Sequence, residues 1–260
     1  MILQRLATSI RKQDWFTVLI ETLIVVLGVF LGIQLGNWNE SRADLRRGAE
    51  FTEQLREDLR MEAWGYARLI EYNTDVLAAA EAAVSALEGN SELSDEALLI
   101  NAYVATQYLN HHRSNATYEE IKSTGAMGLV ADKDLRDLAA RMYTTPIFTV
   151  IQQEGAQSTY RARFRMIVPS QVQSALARAC GDLVGERGNF EQIKDMIGYP
   201  CETGLAPDVI ARSAAILRSD DLLLQELRRR VSDLKTALGN LLQNSEDILE
   251  GLRSLVEEMP

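Results

Sequence analysis

The hydrophobic pattern of the chain begins with one uninterrupted apolar stretch near the N-terminus. Residues 16–36 read FTVLIETLIVVLGVFLGIQLG, about the 20 apolar residues that a helix needs to cross a hydrocarbon core of roughly 30 Å. Trp15 and Trp38 bracket it, and a rise of about 1.5 Å per residue places them about 34 Å apart, near the two headgroup layers. The stretch is longer than a signal-peptide core and lacks a convincing cleavage pattern, so we predict an uncleaved transmembrane helix over residues 15–38.

Beyond Trp38 the apolar positions recur every three or four residues, as on one face of an amphipathic helix. No proline interrupts the chain before Pro146. The spacing predicts a helix that continues directly from the membrane span and ends near Gly89 and Asn90, residue types that suit a C-terminal cap. The recurring positions are Leu55, Leu59, Tyr66, Leu69, Val76, Ala80, Ala83 and Leu87.

The most regular pattern lies near the C-terminus, where spacings of three and four alternate. The apolar positions are Leu224, Leu227, Val231, Leu234, Leu238, Leu241, Ile248, Leu252 and Leu255. This heptad spacing, with Ser245 at its one polar position, predicts a helix of about 40 residues that Ser219 caps. We expect this C-terminal seam to pack antiparallel on the first long helix; an intermolecular coiled coil is the alternative.

Shorter helical segments fill the middle of the chain. Ser94 predicts the start of a helix that reaches about Asn110, and a helix from Lys133 must kink or break at Pro146. Residues 117–120, Thr-Tyr-Glu-Glu, form a capping-box pattern in which the Thr117 hydroxyl caps a short helix that Gly125 ends.

Further helical stretches cover 170–187 and 207–218, and no alternating strand pattern exceeds a few residues. The predicted fold is all-α: one N-terminal transmembrane helix continues into an elongated antiparallel helical bundle with a long C-terminal heptad helix. We divide the chain into a short cytoplasmic tail (1–14), the transmembrane helix (15–38) and a helical periplasmic domain (39–260).

The charge distribution argues against polyanionic partners. Residues 1–38 contribute +1 to the formal net charge of -10, so residues 39–260 carry about -11. No basic stripe interleaved with aromatic residues occurs in the sequence. We therefore expect the domain to bind neither nucleic acid nor anionic headgroups.

The two cysteines help to orient the chain, since the Lys and Arg residues that flank the span are balanced. Between Cys180 and Cys201 lie Gly181, Gly185, Gly188, Gly198 and Pro200. This composition predicts a returning loop that a disulfide closes, which would stabilise the fold by roughly 3 kcal/mol and persist only in an oxidising compartment. We therefore place the N-terminus in the cytoplasm and the domain in the periplasm of a bacterial inner membrane; two unrelated buried thiols are the alternative.

Three glycines of the apolar stretch share one side of the helix. Gly28, Gly32 and Gly36 are spaced by four, and Glu21 falls within about 20° of Gly28 on the same side. Small residues allow close helix approach in a membrane, so this glycine face, which we define as Glu21, Gly28, Gly32 and Gly36, predicts an interface with another transmembrane helix. Simple tolerance of glycine, and a Glu21 carboxylate that reaches the near interface, are the alternatives.

Few residue patterns indicate binding or catalysis. Adjacent residues on a helix point about 100° apart, which disfavours metal binding by the only histidines, His111 and His112. Tyr118, Glu119 and Lys122 are weak candidates for ligand or partner contact. No phosphate-binding loop, nucleophile elbow or zinc motif is present in the sequence. We therefore predict neither enzyme activity nor a cofactor.

Two stretches resemble a known family. Gln34-Leu35-Gly36-Asn37-Trp38-Asn39-Glu40 at the end of the span, preceded by Glu21 and residues 25–28, is similar to the N-terminus of a bacterial single-pass inner-membrane family known only as a domain of unknown function. Residues 117–125, TYEEIKSTG, followed by Leu135-Arg136 and Tyr143, resemble its second signature. The family usually has Gly before the membrane Glu, where this chain has Ile20. The resemblance covers about the first 145 residues and implies an anchored accessory domain, with no catalytic or binding residue.

Taken with the pattern, the resemblance favours a membrane-anchored, non-enzymatic accessory or scaffold protein that acts through helix-mediated protein contacts in the cell envelope. Its expected partners are the lipid bilayer and either further copies of the chain or another membrane protein. The alternative function is a periplasmic ligand-sensing bundle. Since only about 14 residues precede the span, such a bundle would signal through a membrane partner.

Overall fold

The computed structural model describes residues 15–183, 185–197 and 200–257, so the predicted tail at 1–14 lies outside the described residues. The regular elements in these ranges are helical, apart from one isolated bridge between Asp182 and Ile197. This confirms the all-α fold. The α-helices are α1 Trp15–Leu87, α2 Asp95–Val104, α3 Ala116–Ser123, α4 Lys133–Thr144, α5 Ile147–Ala156, α6 Thr159–Ile167, α7 Ser170–Ala179, α8 Pro207–Ser219, α9 Asp221–Gly239 and α10 Glu246–Glu257.

Helix α1 is continuous for 73 residues, or about 110 Å, as the sequence predicts. Its apolar residues are exposed from Leu19 onward, and the first buried position described is Gly48, where an added Cβ would collide with the Leu129 carbonyl. At the other end Gly89 adopts a positive φ of 76° and the Asn90 amide donates to the Ser85 carbonyl at 2.9 Å. These contacts form the predicted glycine cap, which satisfies carbonyls that the helix leaves free.

The C-terminal seam packs antiparallel on α1 within the same chain, as predicted. Arg228 pairs with Glu88 and Lys235 with Glu81, each at 2.7 Å, so the residue numbers rise on α9 while they fall on α1. Four leucines of the seam are at most 1% exposed: Leu227, Leu234, Leu241 and Leu252. The bundle core therefore uses the seam, and a coiled coil between chains is not needed to cover it.

The C-terminal helix is not the single 40-residue helix that the heptad pattern predicts. It ends at Gly239, passes through a π-helical turn at Asn240–Asn244 and restarts as α10 after Ser245, whose φ is -122°. Within that turn the Tyr66 hydroxyl donates to the Leu241 carbonyl at 2.8 Å. The N-cap is also shifted by one residue from Ser219, because the Asp220 carboxylate accepts the Leu223 amide at 2.8 Å.

Two helices end earlier than predicted. Helix α2 stops at Val104 rather than near Asn110, since the Thr106 hydroxyl donates back to the Tyr103 carbonyl at 2.7 Å. Distant arginines then take the next carbonyls: Arg161 binds that of Thr106 at 2.7 Å, and Arg230 binds that of Gln107 at 2.9 Å. Helix α7 likewise ends at Ala179, because its chain turns away at the disulfide instead of continuing to 187.

The prediction of a capping box at α3 is wrong, whereas Gly125 ends α3 and Pro146 interrupts the following helix as predicted. Asn115 occupies the cap position without a side-chain bond, and the Thr117 amide donates instead to the Asp58 carboxylate of α1 at 3.1 Å. Gly125 has a φ of 70° directly after α3, and Pro146 separates α4 from α5. A tertiary acceptor thus replaces the local cap.

Candidate functional site

The glycine face lies on bare helix. An added Cβ at Gly28, Gly32 or Gly36 would meet no atom within 4 Å, and Glu21 is exposed. Apolar side chains around them are exposed as well, among them Leu23, Ile24, Val25, Phe30, Leu31 and Ile33. Among the described residues, α1 is the one helix that is long enough and apolar enough to cross a membrane. Contiguous exposed apolar surface of this kind is typical of a segment that contacts a membrane or another protein.

The junction between this apolar part and the bundle is short and helical. The Arg42 guanidinium lies 4.7 Å from the Trp38 ring centroid, and Gly48 already packs on the bundle. Ten residues of helix, or about 15 Å, separate Trp38 from Gly48. The orientation of the apolar part is therefore coupled to that of the bundle through one continuous helix.

Cys180 and Cys201 form the predicted disulfide, with their Cα atoms 5.5 Å apart. The bond joins the end of α7 to the segment before α8 and closes the loop of residues 181–200, which we call the disulfide loop. Trp64 Nε1 of α1 donates to the Asn189 carbonyl at 3.0 Å, and the Tyr72 hydroxyl donates to Asp182 at 2.7 Å. The disulfide loop is thus held along α1.

A buried carboxylate on α1 binds the segment that follows α2. Glu62 is fully buried, and its oxygens lie 2.9 Å from Arg113 Nε, 3.4 Å from His111 Nε2 and 2.5 Å from the Ser114 amide. Burial alone would raise the pKa of Glu62, but the bond with His111, the charge of Arg113 and the Ser114 amide hold it below its ordinary value. The carboxylate therefore clamps residues 111–114 onto α1.

Aromatic rings and one glycine complete this Glu62 clamp. The Arg113 guanidinium lies 4.7 Å from the Phe148 centroid, and the Tyr143 hydroxyl donates to the Ser114 carbonyl at 2.7 Å. Gly65 leaves the space that the His111 ring fills, because an added Cβ would collide with that ring. No local sequence pattern indicates the clamp, since its partners are 49 to 52 residues from Glu62 along the chain.

The sequence candidates on α3 contact one another at the surface of the bundle, where Lys122 Nζ lies 5.9 Å from the Tyr118 ring centroid. Tyr118 is buried and stacks on Tyr143 with centroids 4.8 Å apart, whereas Glu119 and Lys122 are exposed and lie 3.9 Å from each other. Tyr118 thus packs in the core, and the other two side chains face outward. In the described ranges no three His, Cys, Asp or Glu side chains are grouped as metal ligands.

An apolar groove of about 400 Å³ runs between α1, the disulfide loop and α10. Tyr66, Ile70, Ile193, Leu252 and Val256 are among the residues that line it. The disulfide loop, which the bond between Cys180 and Cys201 closes, forms one wall of the groove.

Comparison of the chain with protein-family models, curated proteins and solved structures finds no match.

Proposed function

We propose that this protein is a membrane-anchored, non-enzymatic accessory or scaffold protein of the bacterial cell envelope. The observation that carries the proposal is α1, which passes without a break from an exposed apolar segment into the core of the bundle. A bilayer accommodates such a segment, because its apolar side chains then contact lipid tails instead of water. The uninterrupted helix then holds the domain at a defined orientation to whatever binds the span.

The disulfide supports a periplasmic position for the domain. A bond between Cys180 and Cys201 persists in the oxidising periplasm and is rare in the reducing cytoplasm. The proposed topology has a cytoplasmic N-terminus, one span through the inner membrane and a periplasmic bundle. External protease should then digest the bundle in spheroplasts with intact inner membranes. A bundle that is degraded only after membrane lysis would overturn this orientation.

The glycine face is the proposed contact between the span and a partner, either a second copy or another membrane protein. Lipid tails give helices no hydrophobic drive to pair, so close backbone approach between small residues must supply the attraction. Gly28, Gly32 and Gly36 are bare in the single chain, and this leaves the face free for such contact.

Crosslinking in native membranes, followed by purification in mild detergent and mass spectrometry, tests this contact. We expect adducts with the parent chain, their loss in Gly32→Ile, and their retention in Val29→Ile, whose substitution points about 100° away from Gly28. The same adducts in both variants, or a parent that purifies as a clean monomer, would contradict the scaffold function.

Ligand sensing by the periplasmic bundle is the second candidate function. It is favoured by a polar cleft in the bundle, whose wall includes Met61, Trp64 and Arg68 of α1. A ligand there would contact the same helix that forms the span, and a partner in the membrane would receive the signal. Crosslinking yields that change with ligand would separate sensing from a constant scaffold role.

A further inference from the structure

A polar cleft of about 340 Å³ lies where the disulfide loop meets α1 and the segment after α2. Helix α1 contributes Met61, Trp64 and Arg68, whose spacing of three and four places them on one side of the helix. The segment after α2 contributes His111 and His112, and the disulfide loop contributes Arg187. Three separate parts of the fold thus converge on one space.

Two arginines, Arg68 and Arg187, give the cleft positive charge. Neither Arg68 nor Arg187 forms an ion pair with any described side chain. Arg68 Nε donates to the Met196 sulfur at 3.1 Å, and Arg187 donates one bond to the Ser114 hydroxyl. Each guanidinium has five N–H donors, so most of them remain available for an acceptor in the cleft.

Among the described residues that line the cleft there is no Asp or Glu. Glu62 is bound by Arg113, His111 and the Ser114 amide, and it takes no part in the cleft surface. Asp182 acts electrostatically on Arg68, but it accepts the Tyr72 hydroxyl, and burial raises its pKa. The cleft is therefore more positive than the domain around it.

The walls also offer apolar surface beside the charge. The Arg68 guanidinium lies 4.5 Å from the Trp64 ring centroid, which holds its plane in position. Met61 and the indole of Trp64 then provide contact for an apolar group attached to the bound anion. The volume is in the range of small-molecule sites and exceeds what a bare inorganic anion would fill.

We infer that this cleft binds a small organic carboxylate, whose charged end meets Arg68 and Arg187 and whose apolar body lies against Trp64 and Met61. Planar guanidinium groups match the geometry of a carboxylate and form two parallel bonds with it. The inference is independent of the proposed scaffold function, since the cleft lies in the bundle and not on the span.

Benzoate is a suitable probe because it combines a carboxylate with a flat apolar ring. The full chain in detergent contains three tryptophans, so Trp15→Phe with Trp38→Phe leaves Trp64 as the single fluorescent reporter. Sodium benzoate is titrated against sodium chloride at constant ionic strength, with acetate and benzyl alcohol as probes that carry only the charge or only the ring.

We expect a saturable change in Trp64 fluorescence with benzoate, with a dissociation constant of about 1 mM or below. Arg68→Gln with Arg187→Gln should weaken it about tenfold or more, whereas Arg178→Gln, an exposed arginine of α7 outside the cleft, should leave it unchanged. Because Arg68 is partly buried, Arg187→Gln alone is measured as a second variant, with melting curves for each protein.

Three results would overturn the inference. The first is a benzoate titration that does not saturate up to about 10 mM. The second is equal affinity in the parent and in the folded Arg187→Gln variant. The third is a response to acetate or to benzyl alcohol that equals the response to benzoate, because the cleft is proposed to recognise both parts together.

Discussion

The two halves of α1 share one backbone but have opposite environments. Around Gly32 every described side chain faces outward from the protein, whereas around Glu62 the helix is covered by α10, the disulfide loop and the segment after α2. Helix continuity and helix burial therefore have separate causes. Helix-forming residues and the absence of proline keep α1 continuous. Burial along α1 depends instead on which parts of the fold pack against it.

The same comparison applies to the two carboxylates of α1. Glu21 is exposed on the apolar half, and Glu62 is fully buried on the packed half. Burial alone would raise the pKa of Glu62. The fold holds this pKa below its ordinary value because it supplies the bond with His111, the charge of Arg113 and the Ser114 amide. The comparison predicts that changes to the packed half alter the stability of the bundle and that changes to the apolar half do not.

The largest expected effect is the loss of the Glu62 clamp. Glu62→Ala leaves Arg113 and the Ser114 amide without their acceptor, and removing one partner of a buried ion pair costs about 3 to 5 kcal/mol. Glu53→Ala, whose side chain is 70% exposed, should change the free energy of unfolding by less than about 0.5 kcal/mol. Denaturant unfolding of both variants checks this. A loss of stability in Glu62→Ala as small as that in Glu53→Ala would show that the clamp adds no stability.

Truncation of the C-terminal seam should come next. Leu234 is 1% exposed, so Leu234→Ala should destabilise the bundle by about 2 to 5 kcal/mol through lost burial and the resulting cavity. Leu238 is only half-buried, because Ala237 takes the core position beside it, and Leu238→Ala should cost less. Thermal unfolding followed by circular dichroism ranks the two; the reverse order would contradict the observed register of α9.

Removal of the disulfide should destabilise the packed half by about 3 kcal/mol, since Cys180 and Cys201 are 21 residues apart along the chain. The variant Cys180→Ser with Cys201→Ser also frees the disulfide loop, so hydrogen exchange should rise around Asn189. Reduction of the parent protein should reproduce both effects. Unchanged exchange around Asn189 would show that the contacts of Trp64 and Tyr72 hold the loop alone.

The smallest expected effect belongs to the apolar half. Leu27→Ala removes an exposed side chain, so the free energy of unfolding of the bundle should change by less than about 0.5 kcal/mol. Gly32→Ile should likewise leave bundle stability unchanged while it weakens partner crosslinking. A loss of bundle stability in either variant would contradict this expectation, because it would place the apolar half in contact with the packed one.

Residue periodicity determined the elements whose evidence is local. The run from Trp15 to Leu87 has no proline and keeps a helical spacing, so its continuity was readable directly, as was its cap at Gly89. The C-terminal seam was readable in part, since a repeat of three and four residues indicates the buried face. Its positions Leu224, Val231 and Leu238 are only half-buried, however. The residues before them are the buried ones: Leu223, Arg230 and Ala237. The disulfide followed from residue composition, because two cysteines flank a glycine-rich return.

Tertiary structure decided the features whose partners are distant in sequence. Glu62 has no local sign of burial, because its partners His111 and Ser114 are brought to it only by the path of the chain after α2. Asp58 replaces the predicted Thr117 cap for the same reason, and Tyr66 reaches the Leu241 carbonyl where the heptad helix breaks. Local periodicity reports which face is apolar, whereas a polar group is buried only where the complete fold supplies its partner.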